Sequence, residues 1–215
     1  MENSKQYCTI YLVRHGETKA NLEEIVSGHF DSPLTEKGEE QAKLRGEDLK
    51  KVHFDAVFSS DLIRAKRTAE LISLNRKLEV NTAKLLRERF FGEWEGKPIS
   101  EFVEKNKHLF ELEKKLSEEE KQKFKLYPSY ESNREIAGRM LTFLREVAAT
   151  FIGKTVLVVA HGSITRGTLM HLGFAKADEL PAGAIENTGY VVLQSDGVDF
   201  FIRETKGINK VNINS

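Results

Sequence analysis

Thr155-Val-Leu-Val-Val-Ala160 runs six residues without a charge and leads directly into His161-Gly162-Ser163. A strand with one wet face alternates apolar and polar positions, whereas a continuous apolar run must hide both faces. Cys8-Thr-Ile-Tyr-Leu-Val13 and Asp55-Ala-Val-Phe-Ser59 are shorter runs of the same kind, each ending at polar residues. Strands like these belong to a parallel sheet covered by helices.

Helical patterns fill the gaps. Thr35 is placed to cap a helix over 35–52, with Gly38 as a local weakness. Asp61 is the expected cap of another, in which Leu62, Ala65, Ala69 and Ile72 form one stripe. Ile136, Met140, Phe143, Leu144 and Val147 recur at helical spacing over 136–151, and a short helix begins at Ser163 or Thr165 and ends near Gly173. Segments 189–194 and 200–205, joined at Ser195-Asp196-Gly197, read as a late hairpin that adds an antiparallel edge. The pattern predicts an α/β three-layer sandwich: a mostly parallel central sheet with helices on both faces. Only segment 100–125, rich in lysine and glutamate, breaks the alternation. With Pro98 and Pro128 at its margins, it reads as a helical lid inserted at about 97–130 into a single domain spanning 1–215.

The composition narrows the class of protein. Lysine plus arginine (33) equal aspartate plus glutamate (33), giving zero net charge with His neutral and no basic footprint for nucleic acid or membrane. The one cysteine, Cys8, has no internal partner and reads as a small buried hydrophobe. No signal-peptide pattern opens the chain, and no apolar stretch approaches the roughly 18 residues of a membrane helix. The expected setting is cytoplasmic.

The polar residues at the strand ends carry the chemistry. Arg14, His15 and Gly16 follow the first run, and Ser59 and Ser60 the second, with Arg64 one turn into the next helix. His161, Gly162 and Ser163 follow the third. Ligands of open α/β sheets bind beyond the carboxyl ends of the strands, so two histidines and two arginines are expected to share one crevice. A neutral imidazole is a nucleophile for phosphorus. Arginine supplies a planar, permanently charged fork matched to phosphate oxygens. At roughly 1.5–3 kcal/mol per charge-assisted hydrogen bond, two arginines and a protonated His161 would contribute several. Backbone N–H groups at the helix start after His161 add a further anion site. A carboxylic acid near the phosphate completes the set by protonating the leaving oxygen. No metal or other cofactor is called for.

Four stretches together carry a family resemblance. Arg14-His-Gly-Glu-Thr18, with Asn21, Ser27-Gly28 and Asp31-Ser-Pro-Leu-Thr-Glu-Lys-Gly38, resembles the opening of the histidine phosphatase superfamily, the phosphoglycerate-mutase-like proteins. Ser59-Ser-Asp-Leu-Ile-Arg-Ala-Lys-Arg-Thr-Ala69, Leu86-Arg-Glu-Arg-Phe-Phe-Gly-Glu-Trp-Glu-Gly96 and Ala160-His-Gly-Ser-Ile-Thr-Arg166 resemble its later motifs, in order. The resemblance implies that His15 is the nucleophile that becomes phosphohistidine. It further implies that Arg14, Arg64 and His161 hold the phosphoryl oxygens and that Glu88 is the proton donor. Asn21 falls at a phosphate-pocket position, and Ser27 and Gly28 at positions near the substrate. Glu17, Thr18 and Arg166 are expected to shape loops, Trp94 to anchor packing under the lid, and Glu93 and Glu95 to be solvated. His29, His53, His108 and His171 fit no motif.

The resemblance also implies a choice between hydrolysis and isomerisation. Cofactor-dependent phosphoglycerate mutases grip the substrate's remote anions with a tyrosine after the catalytic glutamate, a lysine further on and paired arginines in the insertion. Here Phe91 stands at the tyrosine's place and Ile99 at the lysine's spacing, with Lys97 nearby, and 97–133 contains no arginine. This favours a phosphatase acting on small phosphorylated metabolites, with the mutase as the alternative. Lys105, Lys107, Lys114 and Lys115 are candidates to meet a second anionic group. A catalytically silent phosphate-binding protein and a metal hydrolase using His15, His161 and Glu88 are the remaining readings. The latter lacks a compact ligand motif, and arginines beside the histidines repel a cation.

Overall fold

A computed structural model of the chain describes residues 6–212. The first strand, β1 (Cys8–Arg14), is followed by a single turn of helix, α1 (Lys19–Leu22), and by α2 (Glu36–Asp48). Next come β2 (Ala56–Ser59), α3 (Ile63–Ile72) and the short β3 (Val80–Thr82). Segment 97–130 contributes α4 (Ile99–Lys114) and α5 (Glu118–Lys123), and the chain returns through α6 (Asn133–Thr150), β4 (Thr155–Ala160) and α7 (Gly162–His171). It closes with β5 (Ile185–Ser195) and β6 (Phe200–Ile208).

One six-stranded sheet runs in the order β3-β2-β4-β1-β5-β6. Strands β3, β2, β4 and β1 are parallel, and β5 and β6 add the antiparallel edge. The continuous apolar runs are explained residue by residue. In β4, Val156, Val158 and Ala160 point into one core with α6 and α7, while Leu157 and Val159 point into a second with α2 and α3. In β1, Ile10 and Leu12 face the first core and Val13 the second. The three-layer architecture therefore follows from strands that are buried on both sides. β3, too short and exposed to leave a hydrophobic run, is the strand missing from the sequence reading.

Thr35 caps α2 as expected, its hydroxyl accepting from the Gly38 N–H at 3.0 Å. Gly38 is no mere weakness, because a Cβ there would lie 2.0 Å from the Glu17 carbonyl oxygen. The missing side chain lets the loop after β1 pass against α2. Asp61 does not cap α3: it takes both forks of Arg87 at 2.8 and 2.6 Å. The Ile63 N–H donates instead to the carboxylate of Asp31, 32 residues earlier, at 3.1 Å. Cys8 is buried, as expected. Among the described residues no helix is long and apolar enough to cross a membrane.

Segment 97–130 packs with its surroundings into a small core separate from the other two. Val26, Phe102 and Leu126 are buried together, with Phe91, Trp94, Phe110 and Tyr130 packed around them. Trp94 sits edge-on to Phe102 at 5.6 Å, the packing role expected of it.

Candidate active site

The strand ends converge as the topology requires. β1 and β4 are adjacent and parallel, with Arg14 opposite Ala160, so His15 and His161 emerge side by side with ring centroids 5.1 Å apart. A cavity of about 490 Å³ opens above His15, while His161, fully buried behind it, is not one of the residues that line it. Its wall includes Arg14, His15, Arg64 and Glu88, and also Asn21, Ser27, Gly28 and Gly162.

Hydrogen bonds fix how each imidazole presents itself. The Nδ1 of His15 lies 2.7 Å from the Gly16 carbonyl oxygen, which can only accept, so Nδ1 carries the proton and Nε2 keeps its lone pair. The Nε–H of Arg64 can only donate and lies 3.2 Å from Nδ1 of His161, so that ring carries its proton on Nε2. The Nε2 of His161 is buried with no partner among the described residues, a donor awaiting an acceptor. Burial, then Arg64 and Arg14, hold the His15 pKa well below 6.5; burial, Arg64 and His15 do the same to His161. Both rings are therefore biased toward the neutral form. The protonated His161 expected from the sequence is corrected: two neighbouring guanidinium groups and complete burial disfavour a further cation.

Arg14 donates through Nη1 to the Ile185 carbonyl, and its buried Nε has no partner among the described residues. Arg64, 1% exposed, donates to the carbonyls of Phe30 and Gly28 at 3.0 and 2.6 Å and faces Asp31 at 3.6 Å. Nη1 thus serves both Phe30 and Asp31, whereas Nη2, bonded only to Gly28, carries a second N–H. Arg64 thus also shapes the loop that carries Ser27 and Gly28. Gly28 adopts φ +51°, and a Cβ there would lie 2.1 Å from a Glu95 carboxylate oxygen. Glu95 is not free in solvent: it accepts from the N–H groups of His29, Phe30 and Phe91 at 2.9–3.0 Å, whereas Glu93 is exposed as expected.

Glu88 reaches the start of α7. Its carboxylate accepts from the N–H groups of Ser163 at 2.9 Å, Ile164 at 3.0 Å and Arg89 at 2.8 Å. The helix start that the sequence offers to phosphate is thus occupied by the carboxyl group, which is held at the cavity wall. Asn21 uses its carbonyl oxygen in a capping box with Thr18 and also meets Asn187 at 3.5 Å.

Several supporting residues carry no sequence signal. Arg139 on α6 donates to the backbone carbonyls of Leu85, Arg87 and Glu88 and grips both oxygens of Glu131 at 2.9 Å. It brackets the loop that presents Glu88. His29 touches the Glu88 carbonyl oxygen at 2.9 Å. An irregularity in β5 brings the Asn187 amide, at 3.1 Å, and the Thr188 N–H, at 3.3 Å, onto the His15 carbonyl. Of these, only the β5 irregularity left a trace, in Asn187-Thr-Gly189 before an apolar run.

The lysines expected to meet a second anion do not reach the cavity. Lys105, Lys107 and Lys114 of α4 and Lys115 at its C-terminal cap are exposed, and none lines the cavity. Arg89 and Arg166 line it instead.

The profile of the Histidine phosphatase superfamily (branch 1) matches residues 10–206, nearly the whole sheet and every residue above. The chain belongs to this superfamily. It is 33% identical to the uncharacterized phosphatase PhoE of Bacillus subtilis over 163 residues, 76% of each chain. Among solved structures, Bacillus stearothermophilus YhfR superposes with a TM-score of 0.80 at 30% identity, covering 94% of this chain and 97% of the other. A phosphoglycerate mutase from Bacillus anthracis superposes at 0.81 with 28% identity, covering 97% and 96%. The histidine phosphatase fold thus comes with neighbours bearing both phosphatase and mutase names.

Proposed function

We propose that this protein is a phosphomonoesterase that hydrolyses small phosphate esters through a phosphohistidine on His15. The observation that carries the reading is the complementary pair of tautomers. One imidazole offers a lone pair and its neighbour an N–H, between two arginines. The Nε2 of His15 attacks phosphorus, and the bond to the leaving oxygen breaks as Glu88 delivers a proton to it. Water then attacks the phosphohistidine, Glu88 takes the water's proton, and orthophosphate leaves with His15 regenerated. Arg14, Arg64 and the Nε2–H of His161 hold the equatorial oxygens, where charge is spread in the transition state. Segment 97–130 acts as a lid on one domain spanning the chain, and a cytoplasmic setting fits its single unpaired, buried thiol.

The mutase alternative depends on excluding water and gripping a second anion. Phe91, at the mutase tyrosine's place, lines the cavity without a hydroxyl. Arg89 and Arg166 keep the question experimental. Wild-type protein is expected to release phosphate from p-nitrophenyl phosphate in the presence of EDTA, and His15→Ala to lose this activity by at least about 10³-fold. Given 3-phosphoglycerate with 2,3-bisphosphoglycerate, it is expected to yield phosphate faster than 2-phosphoglycerate. Rapid isomerisation with little phosphate would replace the phosphatase reading with the mutase.

A further inference from the structure

The cavity extends past the phosphoryl chemistry to charges that chemistry does not use. Gly162 and Ser163 line it where Glu88 is anchored, and Arg166 lines it one helical turn later, about 5 Å further along α7. Arg166 spends Nε and Nη2 on the Leu180 and Ala177 carbonyls and has no partner for Nη1 among the described residues. Arg89, 5% exposed, lies over the Tyr130 ring at 4.8 Å, bonds Glu131 and Asn133, and has a buried Nε without a partner among the described residues. Facing them from the last turn of α4 is Glu113, half-buried in the cavity wall. It makes no hydrogen bond or ion pair within 4.0 Å among the described residues. Burial raises its pKa despite the cations nearby.

A carboxyl acceptor and guanidinium donors that do not touch one another leave a gap for a ligand. An apolar tail would leave all of them unsatisfied at a cost. A second phosphate or carboxylate would meet Arg166 but also the Glu113 charge. A hydroxyl both donates and accepts, so a hydroxyl-bearing tail satisfies both sides, with its C–H faces against the aromatic wall of Phe102 and Phe110. We infer that Glu113 and Arg166 make this enzyme select phosphate monoesters with a hydroxyl-rich remote end, of the polyol or sugar class, over those ending in a second anion. The inference rests on the phosphatase reading above.

The experiment compares kcat/KM for glucose 6-phosphate, 3-phosphoglycerate and phenyl phosphate. Wild type should prefer the sugar phosphate to 3-phosphoglycerate. Glu113→Gln should shrink that ratio about tenfold by removing the like charge, whereas Glu113→Asp, which keeps the charge, should retain it. A ratio unmoved by Glu113→Gln, an equal loss on all three substrates, or a wild-type preference for 3-phosphoglycerate would overturn the inference while leaving the phosphatase standing. Failure of wild type to hydrolyse even phenyl phosphate would instead remove the phosphatase reading itself.

Discussion

The two ends of the cavity are built by different means. The phosphate end is made where strands of the main sheet stop, and each side chain there is held by the backbone of another element. His15 is fixed by Gly16 and β5, Glu88 by α7, and Arg64 by the 28–30 loop. The lid end is a ring of aromatic side chains over a satellite core, with a few charges facing the cavity. Backbone hydrogen bonds specify position within tenths of an ångström, whereas aromatic packing specifies mainly volume and polarity. On the function proposed above, the first end would set the reaction and the second what enters.

Changes at the phosphate end should strike turnover hardest. Glu88→Gln is expected to lower kcat on alkyl phosphates by about 10²–10⁴-fold and on p-nitrophenyl phosphate by much less, since nitrophenolate leaves without a proton. Equal losses on both substrates would take Glu88 out of the proton-donor role. Arg139→Met touches no substrate but releases the Leu85, Arg87 and Glu88 carbonyls. Misplacing Glu88 by about 1 Å should cost up to about 10²-fold in kcat on alkyl phosphates with little change in KM, and a rise in KM alone would make Arg139 a lid residue instead.

The lid should answer differently. Phe102→Ala is expected to raise KM more than it lowers kcat, with a smaller drop in Tm than Leu144→Ala. Leu144 is fully buried in the main core, where such truncations cost about 2–5 kcal/mol. A larger loss of Tm from Phe102→Ala would mean that the lid is integral to global folding. The smallest effect concerns pH. His15 and His161 have folded-state pKa values below 6.5, so the unfolded chain takes up protons that the folded one refuses. Stability should then fall as pH drops below about 6.5 and level off only beneath the folded values. Thermal melts of His15→Asn/His161→Asn should show a weaker slope over that window, and an unchanged slope would place the titration elsewhere.

The same division decides what the sequence made legible. Strands buried on both faces leave unbroken apolar runs, so β1, β2 and β4 and the side chains at their ends were readable, as were the amphipathic α3 and α6. Glu88 required the family resemblance, because the α7 N–H groups that anchor it lie 75 and 76 residues away and no local pattern links them. The loop brace of Asp31, Glu95 and Arg139 was invisible for the same reason: single polar side chains acting on distant backbone leave no period. The lid lysines misled because charge in a sequence does not say which side of a helix it occupies. Arg89 and Arg166, read as ordinary motif residues, took their place.

The irregular start of β5 has a consequence for anyone re-engineering this chain. The Asn187 amide and the Thr188 N–H both hang on the His15 carbonyl, so spacing within 185–190 is a ruler laid against the proposed nucleophile. The hairpin tip at 196–199 is exposed or half-buried and lies outside both strands. A peptide tag or fusion should be accepted at that tip, while one residue added or removed before Tyr190 would slide the ruler and detune the enzyme without touching its pocket.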